Sequence, residues 1–378
     1  MSDALLQPKT QRVPLGKQDL LTWLRIDPIL CTLLIVLMLL SLFTLWSAGS
    51  EDPGLVMRQS IRFGLAFLVM LMVARISHAR WLRITPWLYG IGFVLLILVM
   101  LMGVVSKGAQ RWLDLGVVRF QPSEIMKLGV PMMVALYLRD KESPLRLFPL
   151  CIACLITLIP MLLIAKQPDL GTAVVVGVAG AIVILLKGIP KKILVLGMLA
   201  FAAMLPIFWH VLHDYQRQRI LMMLDPESDP LGRGYHIIQS KIAVGSGGLW
   251  GKGWQMGTQS NLEFLPERTT DFIFAVYSEE MGFVGAVALI LIYLGIIARG
   301  LYMSAQMKDE FSRLLCGSLI LSFFVYLFVN MGMVVGILPV VGLPLPFMSY
   351  GGTSLVTLMA GFGILISLSY HSSYLRKA

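Results

Sequence analysis

The stretch LPERTTDFIFAVYSEEMG, Leu265 to Gly282, changes character in its middle. Its first half carries Glu267, Arg268 and Asp271. Its second half enters an apolar run over 271–298 in which Glu279 and Glu280 are embedded. An apolar run of roughly 18 or more residues can cross a bilayer as a helix. Further runs of this kind lie at about 29–47, 57–74, 84–104, 122–138, 147–165, 170–186, 191–212, 314–336 and 353–370, which makes ten in all.

Composition agrees. The chain is 57% hydrophobic and 14% charged over 378 residues, with a mean hydropathy of +0.80. A water-soluble domain of that balance would precipitate, so the chain reads as an integral membrane protein. Lipid offers no partners to backbone N–H and C=O groups, which leaves helices or a closed barrel. Barrel strands alternate apolar and polar residues, and these runs do not. The expected fold is an all-α polytopic bundle of ten transmembrane helices, one membrane domain over 28–371 between tails at 1–27 and 372–378. No small-residue cleavage pattern follows the first run, so that helix is expected to be retained.

Basic residues predict orientation, because cytoplasmic loops collect Lys and Arg. With the N-terminus inside, the inner segments carry Lys9, Arg12, Lys17 and Arg25, then Arg75, Arg80, Arg83, Arg139, Lys141, Arg146, Lys187, Lys191, Lys192, Arg299, Lys308 and Arg313. The short outer connections carry only Arg58, Arg62, Lys107, Arg111, Arg119 and Lys166. Both termini are therefore expected on the cytoplasmic side of the inner membrane. The net charge of +10 is explained without a nucleic-acid partner. Cys31, Cys151, Cys154 and Cys316 all lie in apolar runs and read as packing residues. The CIAC pair has no second pair or histidine to complete a metal or redox site.

The long connection at about 213–270 falls outside the membrane, where loops of that length are usually functional. Its aromatics, the amphipathic YHIIQSKIAV and its glycine-rich turns predict short interfacial helices. No internal repeat is evident.

An ionisable residue in an apolar run costs roughly 2.5–3.5 kcal/mol on insertion scales, so each is a functional candidate. Glu124 and Lys127, three residues apart, share a helix face and can pair; they read equally as a structural ion pair or as substrate contacts. Asp169, after Pro168, reads as a helix cap or a site residue. Thr269, Thr270 and Asp271 could cap the following helix, yet Glu279 and Glu280 further in exceed what a cap needs. GSGGLWGKGW lacks the spacing of a P-loop. LPVVGLPLPFMSYGGTS holds Pro339, Pro344 and Pro346, which forbid regular helix. Irregular backbone at membrane depth must be buried or line a cavity. It brings Ser349 to the start of the last helix, a place that suits anions.

SKGAQRWLDLGVVRFQPSEIMKL, AKQPDLGTA, HDYQRQRI, LDPESDPLGRGYHIIQSKIAVGSGGLWGKGW, GTQSNLEFLPERTTDFIFAV and LPLPFMSYGGTS together resemble the SEDS family (shape, elongation, division and sporulation). The likeness is closest to its cell-elongation branch and covers about residues 25–370. The resemblance implies a ten-helix peptidoglycan glycosyltransferase that polymerises lipid II into glycan strands at the outer face of the inner membrane. It implies a class B penicillin-binding protein (a transpeptidase) and the elongation machinery as partners. It makes Asp271 the essential carboxylate and Trp112 a functionally important position. The alternatives are a lipid II flippase and a non-catalytic scaffold for the transpeptidase.

The residues fit that chemistry. A lipid diphosphate leaves as an anion and needs no general acid, unlike the leaving group of glycoside hydrolysis. One base within hydrogen-bond reach of an acceptor hydroxyl suffices, and Asp271 at the outer lip can serve. Positive charge must meet the diphosphate. Arg111, Lys127, Arg217, Arg219 and Lys241 are the candidates, and Glu124, Asp169, Ser349 and Trp112 complete the candidate substrate site. A divalent cation, Mg or Mn, could bridge Asp271 and the diphosphate, although no cluster has the spacing of a dedicated metal cage.

Overall fold

The structure, a computed structural model, describes residues 26–106, 109–114, 119–211, 214–229, 234–261, 264–265 and 267–377. The tail at 1–25, Lys107 and Pro266 lie outside the described residues. Eight helices among the described residues are long and apolar enough to cross a membrane. They are α1 (Pro28–Ala48), α2 (Pro53–Ala74), α3 (His78–Met102), α5 (Leu147–Lys166), α6 (Leu170–Lys187), α11 (Ile273–Ala305), α12 (Glu310–Val334) and α13 (Thr353–Lys377). Two more, α4 (Pro122–Leu138) and α7 (Lys191–Val211), occupy the remaining apolar runs.

Local chemistry sets the starts. Pro28, Pro53 and Pro122 occupy first turns, where a missing N–H is harmless. The Asp27 carboxylate accepts the Leu30 N–H at 2.9 Å, and that of Asp52 accepts the Gly54 N–H at 2.8 Å. Asp309 caps α12 through the Ser312 N–H at 2.9 Å and also meets His78 Nε2 at 2.9 Å. Burial raises that carboxyl, but the bonds from His78 and Ser312 outweigh it and hold it at about 2.

Tyr293, Phe311 and Phe323 are fully buried where α11 and α12 pack. α2 lies along α13, α3 along α4, and α6 between α4, α5 and α12. α7 stands at the edge with Leu196 67% and Met198 65% exposed. In a bilayer such surfaces meet lipid tails.

Two features depart from uninterrupted helices. First, a small antiparallel sheet follows α3: β1 (Val104–Ser106), β2 (Ala109–Asp114) and β3 (Arg119–Phe120), in the order β1-β2-β3. Val104 pairs with Trp112, and Leu113 with Phe120. The helical expectation holds for the spans, and the sheet is a local addition outside them. Outside the apolar run the chain has no helical period to follow, and a hairpin satisfies its backbone locally.

The second is a break in α11. Gly282 has φ 66° and ψ −166°, a left-handed region open to glycine. The outer connection fills the gap. Lys252 N–H donates to the Glu279 carbonyl at 3.0 Å and Gly253 N–H to that of Glu280 at 3.1 Å. In return Phe283 N–H donates to the Gly248 carbonyl at 2.8 Å and Val284 N–H to that of Leu249 at 3.1 Å. The glycine-rich GSGGLWGKGW is thus a backbone insert, because side chains would keep the two chains apart. At Gly251, φ is 82° and a Cβ would collide with the Glu280 carbonyl. Left-handed strain costs roughly 1–3 kcal/mol before any clash. Gly251→Ala should therefore lower the thermal midpoint of the purified protein by several degrees. Gly245→Ala, in a helix with open space around it, should leave the midpoint unchanged or raise it. Equal midpoints for the two variants would contradict the insert.

The outer connection otherwise holds α8 (Asp214–Leu224), a 3-10 turn at Pro226–Ser228, α9 (Tyr235–Ser246) and α10 (Thr258–Asn261). The amphipathic YHIIQSKIAV forms α9, as its periodicity predicts.

Candidate active site

Asp271 stands directly before α11 and is partly exposed. The helix cap is Phe272, whose side chain makes no cap bond, and the Thr270 hydroxyl turns back to the Glu267 carbonyl at 3.2 Å. The backbone of Thr269, Thr270 and Asp271 is held from elsewhere. Asn330 Nδ2 donates to the Asp271 carbonyl at 3.0 Å and to the Leu343 carbonyl at 2.8 Å. The Ser349 hydroxyl donates to the Thr270 carbonyl at 2.6 Å and accepts the Leu345 N–H at 2.8 Å. Tyr350 N–H donates to the Thr269 carbonyl at 2.8 Å. A Cβ on Gly342 would lie 3.5 Å from Asp271 Oδ2, so the carboxylate rests over that glycine.

The irregular 338–352 segment is buried at Leu343 and from Leu345 to Ser349, half-buried elsewhere apart from exposed Gly342, and tied down. Tyr293 donates to the Pro346 carbonyl at 2.6 Å, and Ser41 to that of Met348 at 2.9 Å. The expectation for irregular backbone at membrane depth is met. Ser349, buried, staples this segment to Thr270.

Two cations sit beside the staple. The Arg62 guanidinium lies 4.4 Å from the centroid of the Tyr350 ring, and Arg58 Nε donates to the Tyr350 hydroxyl at 3.3 Å. Sequence reading counted these arginines only for orientation. Four residues apart, they lie on one face of α2, and that spacing was the available signal.

A second cluster gathers sequence-predicted residues. Asp169 caps α6 by accepting the Thr172 N–H at 3.2 Å, which supports its capping reading. It also takes Gln121 Nε2 at 3.0 Å and faces Arg111 Nη1 at 3.7 Å. Arg111 also donates to the Pro168 carbonyl. The sheet makes this possible, for β2 carries Arg111 and Trp112 to the start of α4. Lys127 Nζ lies 2.7 Å from Glu124 Oε1, with the two side chains 10% and 8% exposed. Its Nζ is 5.4 Å from the centroid of the Tyr326 ring. Gln121, Tyr326 and Asn330 were missed, although each is a polar group in or beside an apolar run.

Tyr326 and Asn330 lie one helical turn apart on α12, on the same face. One helix thus meets Lys127 with Tyr326 and the Asp271 backbone with Asn330. Leu343 packs on Val175 and Tyr326 between the two groups. A narrow crevice opens beside Lys127 between α4, α6, α12 and α13, lined by Val175, Ser322, Tyr326 and Leu358 among others.

The remaining candidates lie apart. Arg217 donates to the Trp209 and His210 carbonyls at 2.8 and 2.6 Å, closing the end of α7. Arg219 is exposed on α8. Lys241, on α9, lies across Gly336 at the end of α12. Among the described residues no three His, Cys, Asp or Glu side chains form a metal-holding group.

Glu279 and Glu280 are buried staples. Glu279 accepts from Lys252 Nζ at 2.7 Å, Thr258 Oγ1 at 3.1 Å and the Gln259 N–H at 3.1 Å. Glu280 accepts from Ser47 and from the Gln255 N–H at 3.2 Å.

Comparison with known proteins places these features in a wider group. Residues 22–374 match the model of the FtsW/RodA/SpoVE family, described as cell cycle proteins. The peptidoglycan glycosyltransferase MrdB of Escherichia coli (strain K12) is 50% identical over 354 residues, 93% of this chain and 96% of that protein. The probable peptidoglycan glycosyltransferase FtsW of Geobacter sulfurreducens (strain DL-1 / KN400) is 36% identical over 82% of this chain and 84% of its own length. Among solved structures, the rod shape determining protein RodA of Thermus thermophilus superposes with a TM-score of 0.71 at 29% identity, covering 93% of this chain and 98% of its own. A chain from a study of "structural coordination of polymerization and crosslinking by a peptidoglycan synthase complex" gives 0.80 at 35% identity, covering 92% and 98%.

Proposed function

From the premise that this chain belongs to the FtsW/RodA/SpoVE family, we propose that it polymerises lipid II, with Asp271 as the base. It is a peptidoglycan glycosyltransferase. The observation that carries the assignment is a partly exposed carboxylate whose backbone is fixed by Asn330, Ser349 and Tyr350, with Asn330 one helical turn along α12 from Tyr326, which meets Lys127 of the buried Glu124–Lys127 pair.

Asp271 takes the proton from the acceptor hydroxyl as its oxygen attacks the anomeric carbon of the donor. The bond from that carbon to the diphosphate breaks, and the lipid diphosphate leaves with the electron pair. Arg111 and Lys127 are the cations proposed to meet it, with Arg58 and Arg62 on the acceptor side. Arg217 contributes less, since its donors already serve the end of α7. Trp112 stacks on a sugar face. A divalent cation would take its oxygens mainly from the diphosphate, with Asp271 as one protein ligand. It would supply charge neutralisation there.

The proposed architecture has ten spans, α4 and α7 completing the eight. It sits in the inner membrane with both termini cytoplasmic, and a class B penicillin-binding protein is the partner. The basic residues of the even-numbered connections support that orientation. Single cysteines replacing Ser228 and Glu142 in a cysteine-free background test it. The first should react with a membrane-impermeant thiol reagent in intact spheroplasts, and the second only after lysis. The reverse order would put Asp271 in the wrong compartment.

The function itself is tested with purified protein and labelled lipid II, with and without the partner. Long glycan strands are expected. Transport of lipid II across liposomes without strand formation would favour a flippase instead.

A further inference from the structure

We propose that the Glu279–Lys252 ion pair is a positioning pair for glycosyl transfer: it locks the 246–259 segment into the break of α11 and so sets the angle at which the outer half-helix presents Asp271. This rests on the assignment of Asp271 as the base.

Glu279 is fully buried, 0% exposed. Its donors all belong to the outer connection: Lys252 at 2.7 Å, Thr258 at 3.1 Å, the Gln259 N–H at 3.1 Å and Ser246 Oγ at 3.4 Å. Lys252 Nζ also donates to Thr258 Oγ1 at 2.7 Å. Stability alone does not account for the pair, because an apolar replacement of a buried ion pair is often no less stable. What the pair adds is a fixed attachment point.

The stretch from Ile273 to Met281 is severed from the rest of α11 at Gly282. It is clamped at both ends. One clamp is the site itself, where Asn330, Ser349 and Tyr350 hold the carbonyls of residues 269–271. The other is the insert, through the carbonyls of Glu279 and Glu280 and the Glu279 side chain. Asp271 and Glu279 are eight residues apart, about 12 Å along a helix axis. Releasing the far clamp lets the rod turn about the near one, and because Asp271 stands at that pivot the turn re-aims its side chain relative to the acceptor hydroxyl. Misplacement of about 1 Å can cost about 100-fold in rate. The pair touches no reacting atom in this scheme, so it acts through Asp271.

The test is steady-state polymerisation of labelled lipid II by the full chain in complex with its transpeptidase partner. Lys252→Met removes the charge and keeps the stem. It should lower kcat by about tenfold or more and leave KM within about twofold, since only the orientation of the base changes. Lys252→Arg should restore kcat. Thr258→Val removes one neutral donor and keeps the ion pair, so it carries the test should Lys252→Met fail to fold, and it should lower kcat by about threefold. Wild-type kcat in Lys252→Met, or an unchanged kcat in a folded Thr258→Val, overturns the proposal. So does a loss confined to thermal midpoint. If the wild-type complex makes no strands while transport of lipid II persists, the glycosyl-transfer assignment fails instead, and that outcome is read before any variant is compared.

Discussion

Asp271→Asn is expected to lower strand synthesis by about 100- to 10,000-fold, the range a positioned general base contributes. Asparagine keeps the shape but cannot take a proton. The fold should be indifferent to the change. Asn330 and the Gly342 surface meet the backbone and the van der Waals outline of residue 271, and both survive. The neighbouring carbonyls of Thr269 and Thr270 keep their bonds to Tyr350 and Ser349. Thermal midpoint and co-purification of the transpeptidase should therefore match wild type while product on a gel disappears. Near-normal strands from that variant would remove Asp271 from the chemistry.

Lys127→Met should cost about 3–5 kcal/mol of stability, because it strands a buried carboxylate. Glu124 Oε1 loses its partner at 2.7 Å, and Oε2 has no hydrogen-bond partner among the described residues. Glu124→Gln alone leaves a buried ammonium against Tyr326 and should cost a similar amount. The double variant, which removes both charges, should recover most of the loss. A thermodynamic cycle on unfolding free energy reads this as strong non-additivity. Additive losses would mean that the two side chains do not stabilise each other. Activity then separates the two roles weighed for the pair. A double variant that is stable yet inactive assigns Lys127 to the diphosphate; one that is stable and active makes the pair structural.

Much of the molecule was legible because lipid imposes one rule on every span. Runs such as 170–186 and 191–212 agree with α6 and α7 to within a residue. The apolar pattern starts α2 at 57, whereas the helix begins at Pro53, because Glu51, Asp52, Pro53 and Gly54 read as a turn although Asp52 caps the helix there. Arg58, Gln59 and Arg62, polar positions inside that run, face the Ser349 segment: Gln59 is buried and accepts the Gly351 N–H at 3.4 Å. The sheet at 104–120 was not legible, since its strands are too short to establish an alternation. The break in α11 was hidden for a different reason. Nothing local marks Gly282 among the many glycines of membrane helices, and its bonding partners lie some thirty residues upstream in the insert. For the site, single charged residues in apolar runs were good signals for Glu124, Lys127 and Asp169. The neutral groups that fix them, Gln121 and Asn330, gave a weaker one.

The interruption at Gly282 also changes how the molecule responds to bilayer thickness. Unbroken, the 33 residues of α11 would span about 50 Å, far more than the ~30 Å of hydrocarbon. Such a helix relieves mismatch by tilting, and its tip swings furthest. A carboxylate at that tip would shift with every change in lipid chain length. The stretch from Phe283 to Ala305 alone is about 34 Å long at the same rise, close to a matched span. It can tilt to suit the membrane while the outer piece stays referenced to the insert and to α12. The reacting group is thereby insulated from the lipid composition around it.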